Sequence, residues 1–154
     1  EKPGLTAIRS KSVMKGYWNE PELTAQAIKN GMLVMSDLCY FAPNGEIILV
    51  GRSNDTINLG GLKVAPVEVE EVVMRVPCVD ECLLVPLVRG GNTALKLLVV
   101  LKDGYELDDK AIRETIAQKL EPYKQPKQIV AIDEIIKTFN GKIDRKQMIA
   151  KYGQ

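Results

Sequence analysis

The chain has 154 residues, 45% hydrophobic and 27% charged, which describes one globular domain or two small ones and excludes a disordered tail, a collagen and a coiled coil. Its 21 Lys and Arg against 20 Asp and Glu leave a net charge of +1, too small a footprint for nucleic acid. Histidine is absent, so Ser-His-Asp and Cys-His nucleophiles, histidine zinc ligands and histidine pH switches are excluded with it.

Cys39, Cys78 and Cys82 form no C-x-x-C pair and are too few for a four-cysteine zinc site. They read as buried, free and inert thiols of a reducing compartment, hence a cytoplasmic protein. The longest apolar runs, such as Ile47 to Val50 and Leu97 to Leu101, are strand-sized and fall short of a membrane span. The first residue is Glu1, with no signal-peptide block behind it, and the chain reads as a piece of something longer.

In chain order, Gly16-Tyr17-Trp18-Asn19 is followed by a short helix expected from about Pro21 to Lys29, with proline at its start and Asn30-Gly31 as its stop. Leu38 to Val50 reads as two strands around Ala42-Pro43-Asn44-Gly45, where Asn-Gly supplies positive φ angles. The turn-forming run Gly51-Arg52-Ser53-Asn54-Asp55 reads as a boundary. Beyond it, Pro66 starts a helix to about residue 75, with Val69, Val72, Val73 and Val76 on helical spacing and Pro77 ending it. Glu81 to Val88 and Leu95 to Leu101 read as strands joined around Gly90-Gly91-Asn92, and Pro86 predicts an edge or a bulge in the first. Asp108 is expected to cap a helix through Ile112, Ile116 and Leu120. A strand over Gln128 to Ile132 and a short helix over Asp144 to Lys151 complete the chain. With no orderly βαβ series, the fold class expected is α+β, a small sheet with helices packed on it, preceded by a β-hairpin segment.

Three runs carry candidate chemistry. Lys137-Thr138-Phe139-Asn140-Gly141-Lys142-Ile143-Asp144-Arg145 is either an Asn-Gly turn among solvated charges or a glycine turn that presents the Lys142 ammonium to a phosphate or carboxylate. In Gly51 to Glu70, Glu68 and Glu70 suit the positive end of a helix dipole, which leaves Arg52, the polar triplet and Gly60-Gly61 unexplained. Asp37, just before the hairpin, is either a local turn former or an acceptor for sugar hydroxyls.

Together with Gly16-Tyr17-Trp18-Asn19-Glu20-Pro21-Glu22-Leu23-Thr24 and Tyr123-Lys124-Gln125-Pro126, these runs resemble, in order and over nearly the whole chain, the adenylate-forming ligases: acyl-CoA synthetases, peptide-synthetase adenylation domains and firefly luciferase. The resemblance implies that a carboxylate attacks the α-phosphate of MgATP, releasing pyrophosphate, and that a thiol of coenzyme A or of a carrier protein then takes the acyl group. By motif position it implies that Lys142 bridges carboxylate and α-phosphate, that Asp37 binds the ribose hydroxyls and that Arg52 contacts the nucleotide beside it. Asn54 falls at the hinge, and Gly60 and Gly61 in the loop lining the thiol channel.

The division implied is 1–52 as the tail of the large N-terminal domain, 53–55 as hinge and 56–154 as the C-terminal domain. Ser36, Asn54, Ile136 and Asn140 depart from the usual residues at their positions. The phosphate loop and acyl pocket belong to the preceding domain, so this fragment alone, holding no ATP, Mg2+ or coenzyme A, is expected to be inactive. A non-catalytic binding or assembly module retaining the fold is the alternative, and a regulatory domain for a small ligand has no positive feature behind it. Severed from their domain, residues 1 to 50 would expose Tyr17, Trp18 and the hairpin and favour self-association.

Overall fold

Residues 3–154 are described by a computed structural model, in which the chain divides into two units, Glu1–Asp55 and Thr56–Gln154. The first unit is a four-stranded antiparallel sheet built on its third strand. In order come β1 (Gly4–Ile8), α1 (Pro21–Ala27), β2 (Ile28–Lys29), β3 (Met32–Phe41) and β4 (Ile47–Arg52), and β3 pairs with all three other strands. None of its described residues is buried.

Two expectations change here. The helix ends at Ala27 rather than Lys29, and Asn30-Gly31 is a hairpin turn instead of a helix stop. Asn30 at φ 52° and Gly31 at φ 71° reverse the chain in two residues, so Ile28 and Lys29 find strand partners in Leu33 and Met32. Asp37, expected just ahead of the hairpin, lies inside β3, because that strand begins six positions before Leu38 and has partners on both edges. Around Ala42 to Glu46 the expected hairpin forms, with the Ala42 N–H donating to Glu46 O at 2.8 Å and Gly45 at φ 85°. Gly51 and Arg52 belong to β4, leaving the single 3-10 turn Ser53–Asp55 as connecting backbone.

In the second unit, the hairpin β5 (Ile57–Leu59) and β6 (Leu62–Val64) turns through Gly60-Gly61, both at positive φ. Then come α2 (Pro66–Val73), β7 (Val79–Arg89), β8 (Asn92–Leu101), α3 (Asp109–Lys119), β9 (Gln128–Ala131) and α4 (Arg145–Tyr152). The sheet order is β7-β8-β9. Pro86 therefore sits on an edge strand, where its missing N–H leaves no ladder bond unmade. β7 and β8 are antiparallel, whereas β9 runs parallel to β8. The latter requires a crossover, and α3 supplies it.

Alternation along the strands sends side chains to two cores. Cys82, Leu84, Leu95, Leu97 and Val99 pack with Val69, Val72 and Val73 of α2 and Ile112 and Ile116 of α3. Leu83, Val85 and Leu98 pack on the opposite face with Ile135 and with Met148 of α4. Helices cover both faces of a three-stranded sheet, so β8 reads as a continuous apolar run from Leu97 to Leu101. The fold is α+β, a small sheet with helices packed on it, preceded by hairpin strands.

Candidate functional site

Lys142 stands in a loop whose shape follows from Gly141. At φ 78° this residue takes the left-handed turn that a side chain would strain. The Gly141 N–H donates to Thr138 O at 2.9 Å, and the Thr138 N–H and hydroxyl donate to Lys142 O at 2.7 and 3.0 Å. Thr138 also bonds the Asn140 side chain. Lys137 and Ile143 form an isolated antiparallel bridge below the turn. A closed tip of this kind offers Phe139, fully exposed, and the exposed Lys142. The Lys142 ammonium makes no hydrogen bond or ion pair with the described residues.

Both legs of the loop are tied down. On the incoming leg Lys137 Nζ meets Glu81 Oε1 at 2.7 Å. On the outgoing leg Asp144 caps α4, accepting from the Gln147 N–H at 3.0 Å, and Arg145 reaches Glu70 Oε1 and Oε2 at 3.0 and 2.9 Å. The groove beside the loop's base is lined by Asp80, Glu81, Asp133, Glu134 and Lys137, and its excess of carboxylates suits it poorly to phosphate.

In the first unit Asp37 and Arg52 face each other across β3 and β4, with Arg52 Nε donating to Asp37 Oδ1 at 3.3 Å. Their side chains are 24% and 61% exposed, so as a fold-stabilising pair they are worth about 0.2–1 kcal/mol. The same exposure leaves carboxylate and guanidinium accessible to a polar ligand. Asn54 is the middle residue of the Ser53–Asp55 turn. Gly60 and Gly61 form the β5–β6 turn, closed by the Gly61 N–H donating to Asn58 Oδ1 at 2.7 Å. The structure thus brings Asp37 and Arg52 together in one unit and holds Lys142, Gly60 and Gly61 in the other.

Several residues do more than their local spacing indicates. Glu68 pairs with the buried Lys124 at 2.5 Å, and Glu121 adds a second carboxylate at 2.9 Å. Burial works against the Lys124 ammonium, but hydrogen bonds to these two carboxylates outweigh it and raise its pKa. Exposed Glu121 is held below the usual carboxylate range, chiefly by its hydrogen bond to Lys124. Gln125 Nε2 donates to Arg113 O at 2.9 Å while Arg113 Nη1 donates to Pro126 O at 2.7 Å, so the Tyr123-Lys124-Gln125-Pro126 run is a locked turn between α3 and β9. In the first unit Thr24 accepts from the Tyr17 N–H at 2.9 Å, and a Cβ on Gly16 would come within 2.9 Å of Thr24 Cγ2, which is why glycine opens that run.

All three cysteines are free, with Cys78 and Cys82 buried and Cys39 half-buried. Burial, reinforced by the Glu70 carboxylate, pushes the Cys82 thiol up to about 12, so it is no nucleophile at neutral pH. Among the described residues no group of three or more His, Cys, Asp or Glu could hold a metal ion, and no helix is long and apolar enough to cross a membrane.

Residues 68–142 match the family profile described as AMP-binding enzyme C-terminal domain. The chain is 36% identical over 147 residues to a long-chain-fatty-acid–CoA ligase of Escherichia coli O157:H7, an alignment covering 95% of this chain and 26% of that protein. It is 32% identical over 151 residues to 4-coumarate–CoA ligase of Vanilla planifolia, covering 97% and 27%. Among solved structures, the anthranilate CoA ligase AuaEII in complex with anthranoyl-AMP superposes with a TM-score of 0.88 at 27% identity, over 97% of this chain and 30% of that one. The chain spans about a quarter of the length of the curated relatives it matches. The fold is that of an adenylate-forming enzyme's C-terminal domain. The matching profile, the matching relatives and the fold all point to the adenylate-forming ligases.

Proposed function

We propose that this chain is the C-terminal portion of an ATP-dependent acid–thiol ligase. In the first half-reaction a carboxylate oxygen attacks the α-phosphorus of ATP, forming the acyl-adenylate and expelling pyrophosphate. In the second, a thiol attacks the acyl carbon and AMP leaves. The observation that carries this reading is the exposed Lys142 ammonium at the tip of a turn closed by Gly141 and anchored on both legs. Charge shifts among phosphate oxygens as the α-phosphorus is attacked, and a fixed cation beside them stabilises that change.

In this reading Asp37 accepts hydrogen bonds from the ribose hydroxyls and Arg52 contacts the nucleotide beside it. Asn54 is the hinge, its short polar neighbours able to absorb a φ/ψ change, and the Gly60-Gly61 turn lines the thiol channel. The division is that of the tail of the N-terminal domain over 1–52, hinge over 53–55 and C-terminal domain over 56–154. Mg2+ enters with ATP as part of the substrate, coenzyme A is the thiol, and the cytoplasm is the compartment. The fragment alone does not turn over carboxylate and ATP, because the phosphate-binding half lies outside it. The half-buried or exposed state of every described residue before Thr56 supports a first unit that completes a larger lobe.

The test is Lys142→Ala in the full-length enzyme. Adenylate formation, read as pyrophosphate release, should fall on the order of 100-fold or more. Thioester formation from supplied acyl-adenylate should be largely spared. Equal loss of both half-reactions would contradict the role of Lys142.

A further inference from the structure

The two legs of the Lys142 loop are anchored unequally. Lys137 and Glu81 are 45% and 37% exposed, a pair that water and salt weaken. Arg145 and Glu70 are 26% and 13% exposed. Both Glu70 oxygens are engaged: Oε1 accepts the Leu84 N–H at 2.9 Å and Arg145 Nη2 at 3.0 Å, and Oε2 accepts the same Nη2 at 2.9 Å. One shielded carboxylate therefore joins helix α2, strand β7 and the first residue of α4, three positions beyond Lys142. The guanidinium that Glu70 holds comes 75 positions later in the chain.

We propose that Glu70 is a positioning residue for Lys142. Acting through Arg145, it fixes the outgoing leg of the Gly141 turn and so the point at which the ammonium meets the α-phosphate. The inference rests on the ligase reading of Lys142. A lysine on a long flexible stem needs its backbone held in place, since a displacement of about 1 Å can cost on the order of 100-fold in rate. An ion pair that merely stabilises the fold would behave differently: its loss would slow both half-reactions together, whereas loss of positioning touches only the one that uses Lys142.

Glu70→Gln is the primary variant, because its amide oxygen still serves the Leu84 N–H while the charge is gone. Arg145→Lys keeps the charge and loses the guanidinium. In the full-length enzyme, with a long-chain fatty acid and 4-coumarate as acid probes, both variants should lower pyrophosphate release 10- to 100-fold. Thioester formation from supplied adenylate should stay within about threefold of wild type, and Arg145→Lys should retain more activity than Arg145→Gln. Independently of any substrate, 15N relaxation on the 154-residue chain should show Gly141 and Lys142 gaining fast motion in Glu70→Gln while Ile112 and Ile116 do not change. Equal loss of both half-reactions, or an unchanged Lys142 loop in the relaxation data, overturns the proposal. Lys142→Ala run alongside separates the two claims. If it leaves pyrophosphate release intact, the ligase reading fails; if it abolishes release and Glu70→Gln does not, the positioning role alone fails.

Discussion

At the scale of single residues, Cys82 links packing to pH. Its thiol lies against α2, with Sγ 3.5 Å from Glu70 O, and it holds its proton up to about pH 12 in the fold against 9.0 for an ordinary thiol. The unfolded chain therefore loses that proton first as pH rises. With fewer protons bound in the unfolded state, stability falls across the window from about 9 to about 12 and is unaffected below it. Cys82→Ala should flatten that alkaline decline in urea midpoints measured between pH 8 and 11, and an identical slope would refute the coupling. Glu68 and Glu70 show the limit of local reading at this scale. Both fit the start of a helix, yet their partners Lys124 and Arg145 lie 56 and 75 positions away, a separation that no spacing rule spans. The turn at Gly141 was legible because its chemistry sits within a few residues.

Secondary-structure elements divide along the same line between local and distant causes. Asp108 was legible as an N-cap, and its Oδ1 does accept the Ala111 N–H at 2.9 Å. Asp108→Ala should therefore cost about 1 kcal/mol of unfolding free energy, measured by urea denaturation, and an unchanged midpoint would remove the cap from the account. The helices over Pro66–Val73 and Asp109–Lys119 were legible from apolar spacing, and the β7–β8 turn from Gly90-Gly91, at φ 56° and 79°. What was not legible depended on partners far along the chain. β1 is a short exposed strand with no alternation of its own, and it exists because β3 offers an edge. Asn30-Gly31 can end a helix or turn a hairpin, and only the partner segment Met32–Leu33 decides. That β9 lies parallel to β8 follows from the α3 crossover.

For the whole molecule, the two units differ in what they shield. Phe41, Ile47 and Leu49 are each about two-thirds exposed at 65%, 63% and 65%, and the register places Phe41 opposite Ile47 and Cys39 opposite Leu49, so they form one apolar patch. Patches of this kind drive association. Light scattering of the 154-residue chain should show an apparent mass rising with concentration, and Phe41→Ser with Leu49→Thr should suppress the rise. A strict monomer at high concentration refutes the prediction.

The distribution of buried side chains has a consequence for protein engineering. Both hydrophobic clusters draw all their members from beyond Asp55, so a crossover made at Ser53–Asp55 when recombining related ligases severs neither of them. A crossover between Leu84 and Leu97, in β7 or β8, would divide the Leu83–Leu98 and Leu84–Leu97 pairs between different parents. Libraries shuffled at the former position should yield far more folded clones than those shuffled at the latter.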